Sequence, residues 1–296
     1  RGLGDVYKRQ GTGCVHTAPG HGVDDFEVYK KYENAGKLKQ EVICPVDDKG
    51  CMTKEAGEFI EGKTTWEAEG PCISELAHAG MLLGKKSIHH QYAHCWRCKN
   101  PVIYRATEQW FASINDFREK ALEAVDNTTF IPSWGHDRLY NMVRDRQDWC
   151  ISRQRSWGVP IPAFYCDDCG KYVITPETIG KVKDVVEKEG SDAWWSYPAE
   201  KLLPENFKCP HCGGTHFHKE TDIMDVWFDS GSTWNGVLKD PHENWKKDGA
   251  EYPCDLYLEG SDQHRGWFQS SLLTSVAVNG KAPYKAVLTH GFTMDG

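Results

Sequence analysis

Asp255-Leu-Tyr-Leu-Glu-Gly-Ser-Asp-Gln-His-Arg-Gly-Trp-Phe268 carries three local signals in succession. The opening residues lean apolar and read as a buried strand. A glycine-punctuated cluster then brings Glu259, Asp262, Gln263, His264 and Arg265 close together, and a helix-compatible run follows over 267–278. A strand that ends in polar side chains and turns into a helix is where open α/β sheets place small ligands. Taken alone, this pattern suits any small-molecule site.

Around this stretch, residues 222–296 alternate expected strands at 223–228, 256–258 and 286–288 with helical segments, as a doubly wound parallel sheet does. Residues 89–221 carry an expected amphipathic helix over 110–125 and a charged helical segment over 178–190. Residues 11–88 mix short apolar runs with glycine-rich turns and read as α+β. No repeat and no low-complexity tract is visible.

At 296 residues the chain has room for about two domains with real cores. Its net charge of −8 argues against a broad cationic nucleic-acid surface, though Arg144, Arg146, Arg153 and Arg155 form a local basic group. No run of about 18 apolar residues suggests a membrane span, and no secretory leader is visible. Twelve cysteines without a secretory signal suit a reducing, cytoplasmic setting and metal binding better than disulfides.

Two Cys-x-x-Cys pairs, Cys166/Cys169 and Cys209/Cys212, are each followed by glycine. Four thiolates in two knuckles suit one tetrahedral zinc ion, and glycine lets the backbone turn tightly beside the metal. A complete shell of four cysteines leaves no open position for water, so such an ion is structural. The plain alternative is four reduced cysteines in a loop. Cys95-Trp-Arg-Cys98 is half of such a site, without a second knuckle in this chain.

Three other blocks bear on identity. Asp148-Trp-Cys-Ile-Ser-Arg-Gln-Arg-Ser-Trp-Gly-Val-Pro-Ile-Pro162 resembles the Trp-Cys-Ile-Ser-Arg-Gln-x-x-Trp-Gly block of class I aminoacyl-tRNA synthetases of the isoleucine, valine and leucine group. Lys219-Glu-Thr-Asp-Ile-Met-Asp-Val-Trp-Phe-Asp-Ser-Gly-Ser232 is similar to another block of that group. Gly11-Thr-Gly-Cys-Val-His-Thr-Ala-Pro-Gly-His-Gly-Val-Asp-Asp25 resembles the core of its inserted editing domain. Leu258-Glu-Gly-Ser-Asp-Gln-His-Arg-Gly-Trp-Phe268 resembles the isoleucine-binding strand of isoleucyl-tRNA synthetases in particular. The blocks stand in the family's order and cover nearly everything from residue 11 onward.

The resemblance implies an α/β chain: the second half of a Rossmann-type doubly wound parallel sheet, the C-terminal part of an inserted α+β editing domain, and a zinc-knuckle connection. It divides the chain into a non-native leader at 1–10, editing domain at 11–88, connection at 89–221 and catalytic half at 222–296. The family's His-x-Gly-His motif is absent upstream, and its Lys-Met-Ser-Lys-Ser loop would follow Gly296, so a fragment is expected, inactive by itself.

By that resemblance, Glu259 and Gly260 with Asp262 and Gln263 hold the amino acid and its adenylate. A carboxylate anchors the substrate ammonium, while amide and carboxylate groups fix ribose hydroxyls. Trp267 forms part of the side-chain pocket and His290 contacts the nucleotide. Arg153, Arg155, Trp157 and Trp227 are candidates for contact with a single-stranded tRNA end or the substrate; tryptophan-anchored strands with solvated arginines are the plainer reading. An apolar pocket separates substrates that differ by one methylene only modestly, so hydrolytic editing is expected. In it Asp25 grips the ammonium and His16 restricts the pocket, against the plain readings of a helix-capping aspartate and a turn histidine.

The implied activity is ATP-dependent activation of L-isoleucine, with Mg2+, and transfer to tRNA(Ile) by a monomeric parent enzyme. The alternatives are a valine-specific sister ligase or a stand-alone tRNA editing hydrolase. Gly57-Glu-Phe-Ile-Glu-Gly-Lys-Thr64 fits the phosphate-loop pattern, but no apolar strand precedes it and Glu58 and Glu61 would repel phosphate.

Overall fold

The computed structural model describes residues 15–240 and 249–295. The expected leader at 1–10 and the start of the glycine-rich block at 11–14 lie outside them. Two compact units divide between Glu108 and Gln109, whereas the composition-based boundaries stand at 88/89 and 221/222.

In the first unit, α1 (Val23–Asn34) places Asp24 and Asp25 in its first turn, where carboxylates face the free N–H groups of the helix start. Tyr29 is its buried residue, and its hydroxyl donates to Glu33 and to Gln40 O. Asp47 then closes a turn by accepting from the N–H groups of Lys49 and Cys51. The second helix, α2 (Glu69–His78), starts five residues beyond Thr64. The stretch 57–64 thus lacks both the strand and the helix start that a phosphate loop needs.

The second unit opens with β1 (Phe111–Ala112), α3 (Arg118–Asp126), β2 (Thr129–Ile131), α4 (Trp134–Arg144), β3 (Trp149–Cys150) and β4 (Ser152–Arg153). It continues through β5 (Phe164–Cys166), β6 (Tyr172–Val173), α5 (Pro176–Glu189), α6 (Ala193–Ser196), α7 (Ala199–Leu202) and β7 (Phe217–Lys219). It ends with β8 (Ile223–Met224), α8 (Val226–Gly231), β9 (Cys254–Gly260), α9 (Trp267–Asn279) and β10 (Tyr284–His290).

A parallel sheet in the order β2-β10-β9 organises this unit. Its outer strand β2 comes from residues 129–131, within the stretch 89–221 that the resemblance assigns to the connection. Val287 of β10 lies opposite Tyr257 and Phe130. Tyr257 and Val287 are buried in one core with Phe268, Leu272, Leu273 and Val276 of α9 and with Ala121, Leu122 and Val125 of α3. The alternate residues Leu256, Leu258 and Ile131 are exposed.

Helix α9 is buried almost throughout, so its polar residues need partners inside the protein. Thr274 Oγ1 donates to Gly231 O and accepts from the Trp234 indole, and Ser275 bonds Tyr252 and Lys281 O. Gly231 lets α8 press on α9, since a Cβ there would stand 2.8 Å from the Ser270 backbone.

A second core, with Phe164, Val173, Val182, Trp194, Leu202 and Phe217, fills the module between β5 and β7. Its sheet is antiparallel, ordered β6-β5-β7. Thr175 caps α5 in a reciprocal box with Thr178, Pro176 opens the helix, and Gly190 ends it.

Two expectations need correction. Residues 110–125 form β1, a turn and then α3, rather than one helix. Tertiary partners claim the first residues: the Trp110 N–H donates to Ser152 Oγ, its indole to Glu220, and the Ile114 N–H to Asp148. Residues 223–228, expected as a strand, split into β8 and the start of α8. Asp225 causes the break, because its side chain accepts the Trp227 N–H and caps the helix.

Candidate functional site

The carboxyl ends of the parallel strands meet at one edge, where β9 and β10 run in register to Glu259 beside Thr289 and Gly260 beside His290. A short 3-10 turn, Ser261–His264, follows at once and carries Asp262 and Gln263. A Cβ on Gly260 would stand 2.7 Å from Asp262 Oδ1 and 3.7 Å from His290 Cε1, so the missing side chain lets strand end, turn and histidine close up. Gln263 Nε2 donates to Asp262 Oδ2, and Gln263 Oε1 accepts the Trp267 N–H. The glutamine therefore fixes the start of α9 while holding the aspartate. Glu259, Asp262 and His290 remain exposed. The edge thus offers two carboxylates, a carboxamide and an imidazole, a donor and acceptor set that suits an ammonium and hydroxyls.

His264 anchors the turn from below. It is fully buried, with Nδ1 bonded to Ser261 O at 3.0 Å, and its ring packs on Trp134 and Phe268. Its Nε2 meets no hydrogen-bond partner among the described residues. Burial holds this imidazole below its ordinary pKa, and in the neutral form the carbonyl of Ser261 calls for the proton on Nδ1.

Two tryptophans stand over the start of α9. The Trp267 ring stacks on Tyr257 at 3.9 Å and its indole N–H donates to Ser230 O. Trp227, from α8, has ring atoms 2.9 and 3.0 Å from where a Gly266 Cβ would be. The structure therefore places Trp227 beside the Gln263–Trp267 cluster. Arg153 is held elsewhere: its guanidinium pairs with Asp225 at 2.9 Å and donates to Cys150 O and Ser152 O. That is the arrangement of a structural anchor. Arg155 donates to Gln154 O, and both Arg155 and Trp157 are exposed, Trp157 at 92%. Asp225, which sequence reasoning passed over, is the hub of this region. It caps α8 locally, but its bonds to Trp149 and Arg153 come from far along the chain, and no local pattern announces those.

A cavity of about 280 Å³ opens at the other end of the sheet, lined by Pro253, Gly280, Lys281 and Tyr284 among others. Ligands of open α/β sheets bind at the carboxyl ends of strands. The residue cluster, and not this amino-end cleft, is therefore the candidate site.

Cys166, Cys169, Cys209 and Cys212 converge, with every Sγ within 4.8 Å of the others. Cys166 and Cys212 stand 3.6 Å apart and Cys169 and Cys209 3.8 Å apart. A tetrahedron with metal–sulfur bonds of about 2.3 Å has sulfur–sulfur edges of roughly 3.8 Å, so the donor set fits a zinc ion. The Cys209 thiol lies at about 7. Burial acts to raise it, and N–H donors from His211 and Cys212 with the neighbouring thiols outweigh burial.

Both knuckles share one backbone pattern. The first cysteine N–H donates to the carbonyl five residues on (Lys171, Gly214), and its carbonyl accepts from the residue four on (Gly170, Gly213). Both glycines have positive φ. Cys95 repeats this pattern with Asn100 O and the Lys99 N–H, and Lys99 takes φ +63. The expected half site thus has the turn of a metal knuckle, with a lysine in the left-handed position where the other two have glycine.

In the first unit, Asp25 is half-buried and its Oδ2 accepts the Ala18 N–H at 2.9 Å, tying α1 to the turn before it. His16 is exposed. No bond joins the two among the interactions described.

Over residues 4–296 the chain matches the family model for class I tRNA synthetases (I, L, M and V). It is 60% identical over 291 residues to the isoleucine–tRNA ligase of Caldicellulosiruptor bescii. It is 59% identical over 290 residues to that of Carboxydothermus hydrogenoformans. Each alignment covers 98% of this chain, and the chain spans 30% of the length of each relative. A crystal structure of the ternary complex of Agrobacterium radiobacter K84 agnB2 LeuRS, tRNA and LeuAMS covers 50% of this chain and 20% of that one, at 25% identity. Its TM-score of 0.33 is too low to bear on the fold.

Proposed function

Because the chain belongs to the class I tRNA synthetases of the I, L, M and V family, we propose that it is part of an isoleucine–tRNA ligase and carries that enzyme's amino-acid and adenylate half-site. The observation that supports this most directly is the strand end at Glu259, with Gly260 against His290 and with Asp262 and Gln263 in the next turn. In this reading the whole protein joins the isoleucine carboxylate to the α-phosphorus of ATP, releasing pyrophosphate. A hydroxyl of the terminal adenosine of tRNA(Ile) then takes the acyl group, releasing AMP.

Glu259 neutralises the substrate ammonium, Asp262 and Gln263 orient the adenylate, and Trp227 and Trp267 wall the apolar side chain. Such a site accelerates the reaction by positioning and charge stabilisation, and needs no enzyme nucleophile. Mg2+ accompanies ATP and screens its phosphates. Trp157 and Arg155 offer a stacking ring and a phosphate-binding cation to the tRNA end. Asp25 and His16 belong to an editing site for mischarged valine. Zinc at Cys166, Cys169, Cys209 and Cys212 holds the β5–β7 module together and takes no part in the chemistry. The parent enzyme works as a cytoplasmic monomer.

The test is isoleucine-dependent exchange of pyrophosphate into ATP by the full-length protein that contains this chain. Isoleucine-dependent exchange, lost in Glu259→Gln, is the expected result. Absence of exchange with isoleucine removes the proposal, and exchange with valine alone reassigns it to the sister ligase.

A further inference from the structure

Asp225 is buried, its side chain 8% exposed, and its carboxylate gathers donors from three segments. Trp149 Nε1 donates to Oδ2 at 2.9 Å, inside the core. Arg153 Nη2 pairs with the same oxygen at 2.9 Å. The Trp227 N–H donates to Oδ1 at 3.3 Å, at the first turn of α8. The Asp225 N–H donates to Ile151 O at 2.7 Å, so the residue is also fixed through its backbone. The other charged groups near it are Arg146, whose guanidinium lies 5.2 Å over the Trp149 ring and bonds Gln269, and Asp229 on α8.

Helix α8 has six residues and brings Trp227 and Ser230 to the candidate site. The Trp227 ring occupies the space beside Gly266, and Ser230 O receives the Trp267 indole N–H. A helix this short has little intrinsic stability, so its position depends on what its ends touch. At its far end Gly231 presses on Ser270. At its near end the cap is Asp225. The same carboxylate that starts the helix also holds the β3–β4 strands.

We propose that Asp225 is a positioning residue for amino-acid recognition: by tying Trp149 and Arg153 to the first turn of α8, it sets the Trp227 ring against Gly266. The proposal rests on reading the 259–267 cluster as the amino-acid site. Asp225 touches neither substrate nor reacting atoms in this scheme. Its effect passes through Trp227, so it is read in isoleucine affinity rather than in ATP binding.

Asp225→Asn and the milder Trp149→Phe, made in the full-length protein, test this. An asparagine keeps an oxygen for the Trp227 N–H but presents an NH2 group to donors that need an acceptor. Asp225→Asn is expected to raise the KM for isoleucine by about tenfold in pyrophosphate exchange, with the KM for ATP unchanged. Trp149→Phe moves the isoleucine KM the same way by less. In both, hydrogen exchange speeds up in the peptide spanning 226–232 and stays as in wild type across 166–212. An isoleucine KM unchanged in both variants overturns the proposal, as does equal loss of isoleucine and ATP affinity. If Asp225→Asn does not fold, Trp149→Phe decides by the same two readouts. A wild-type protein without isoleucine-dependent exchange fails the functional reading instead. The tether is then judged by hydrogen exchange alone, where unaltered protection of 226–232 in Trp149→Phe refutes it.

Discussion

Gly266 sits where a side chain cannot. A Cβ there would meet Gln263 Oε1 at 2.3 Å and the Trp227 ring at 2.9 Å. Gln263 Oε1 already holds the Trp267 N–H, so it has little freedom to retreat. On the proposed reading of this cluster as the isoleucine site, Gly266→Ala is therefore expected to displace Gln263 or Trp227 and to raise the isoleucine KM of the full-length protein by about tenfold. An unchanged KM would mean that neither group contacts the amino acid. Asp229 permits a test by pH. Burial, with Asp225 close by, pushes its carboxyl up to about 6, against about 3.9 for an unperturbed aspartate. An acid with a raised folded pKa costs stability while charged, so the penalty is complete above pH 6 and disappears as the pH falls from 6 towards 4. Asp229→Asn is expected to stabilise the protein at pH 7.5 by about 1 kcal/mol, allowing for its partial exposure. The gain shrinks on acidification to pH 4.5. Urea midpoints measured at both pH values check this, and a gain that persists at pH 4.5 contradicts it. At this scale the sequence marks Glu259, Asp262 and Gln263, because strand, turn and helix start are all local. Asp225 and Trp149 stay hidden, because their hydrogen bond spans 76 residues.

Among the elements, the legible ones carry their own end signals. Thr175-Pro176 and Gly190 bound α5, and the left-handed Gly280 ends α9. In the misread ones local signals compete with one another or with partners far along the chain. The segment 223–228 is short and apolar, which suits strand and helix alike, and a cap from Asp225 decides the outcome. The segment 110–125 has helical periodicity, but Ser152, Glu220 and Asp148 take the groups of its first residues. Glu220 in turn binds the cysteine module to β1. Its carboxylate accepts from the Trp110 indole, the Tyr165 hydroxyl and the N–H groups of Thr221 and Asp222. Burial alone would raise its pKa, and these donors outweigh burial to hold it below the ordinary value. A lowered folded pKa means stability present above the unfolded value and lost as the pH falls through the folded one. Glu220→Gln is thus expected to cost on the order of 2 kcal/mol at pH 7, in proportion to its charged hydrogen bonds. That difference closes below about pH 4. Denaturant unfolding at pH 7 and pH 4 measures it. The same module should hold one zinc per chain by metal analysis. Cys209→Ser or a chelator should then speed hydrogen exchange across 164–219 while β9 and β10 keep their protection, and protein without zinc would contradict the assignment.

Parallel strands are normally covered on both faces. Here α3 and α9 pack on the face that carries Tyr257 and Val287. The opposite face presents Leu256 at 44%, Leu258 at 52% and Ile131 at 49% exposure. These residues lie in register on adjacent strands, Leu258 beside Leu288 and Leu288 beside Ile131, so they form one patch rather than scattered single residues. Contiguous apolar surface of this kind marks a contact face or an aggregation hazard. The chain spans 30% of the length of its curated relatives, so most of a protein of that length is available to cover the patch. Composition gives no sign of it, because an apolar strand reads the same whether one of its faces or both are covered. Leu258→Asp separates the possibilities. In the 296-residue chain alone it is expected to reduce self-association in sedimentation velocity, since a charge replaces exposed apolar surface. In the full-length protein it should lower the unfolding temperature by several degrees, because the charge would then be buried without a partner. A full-length variant that melts with wild type would place this face in water, and the sheet would then be complete as it stands here.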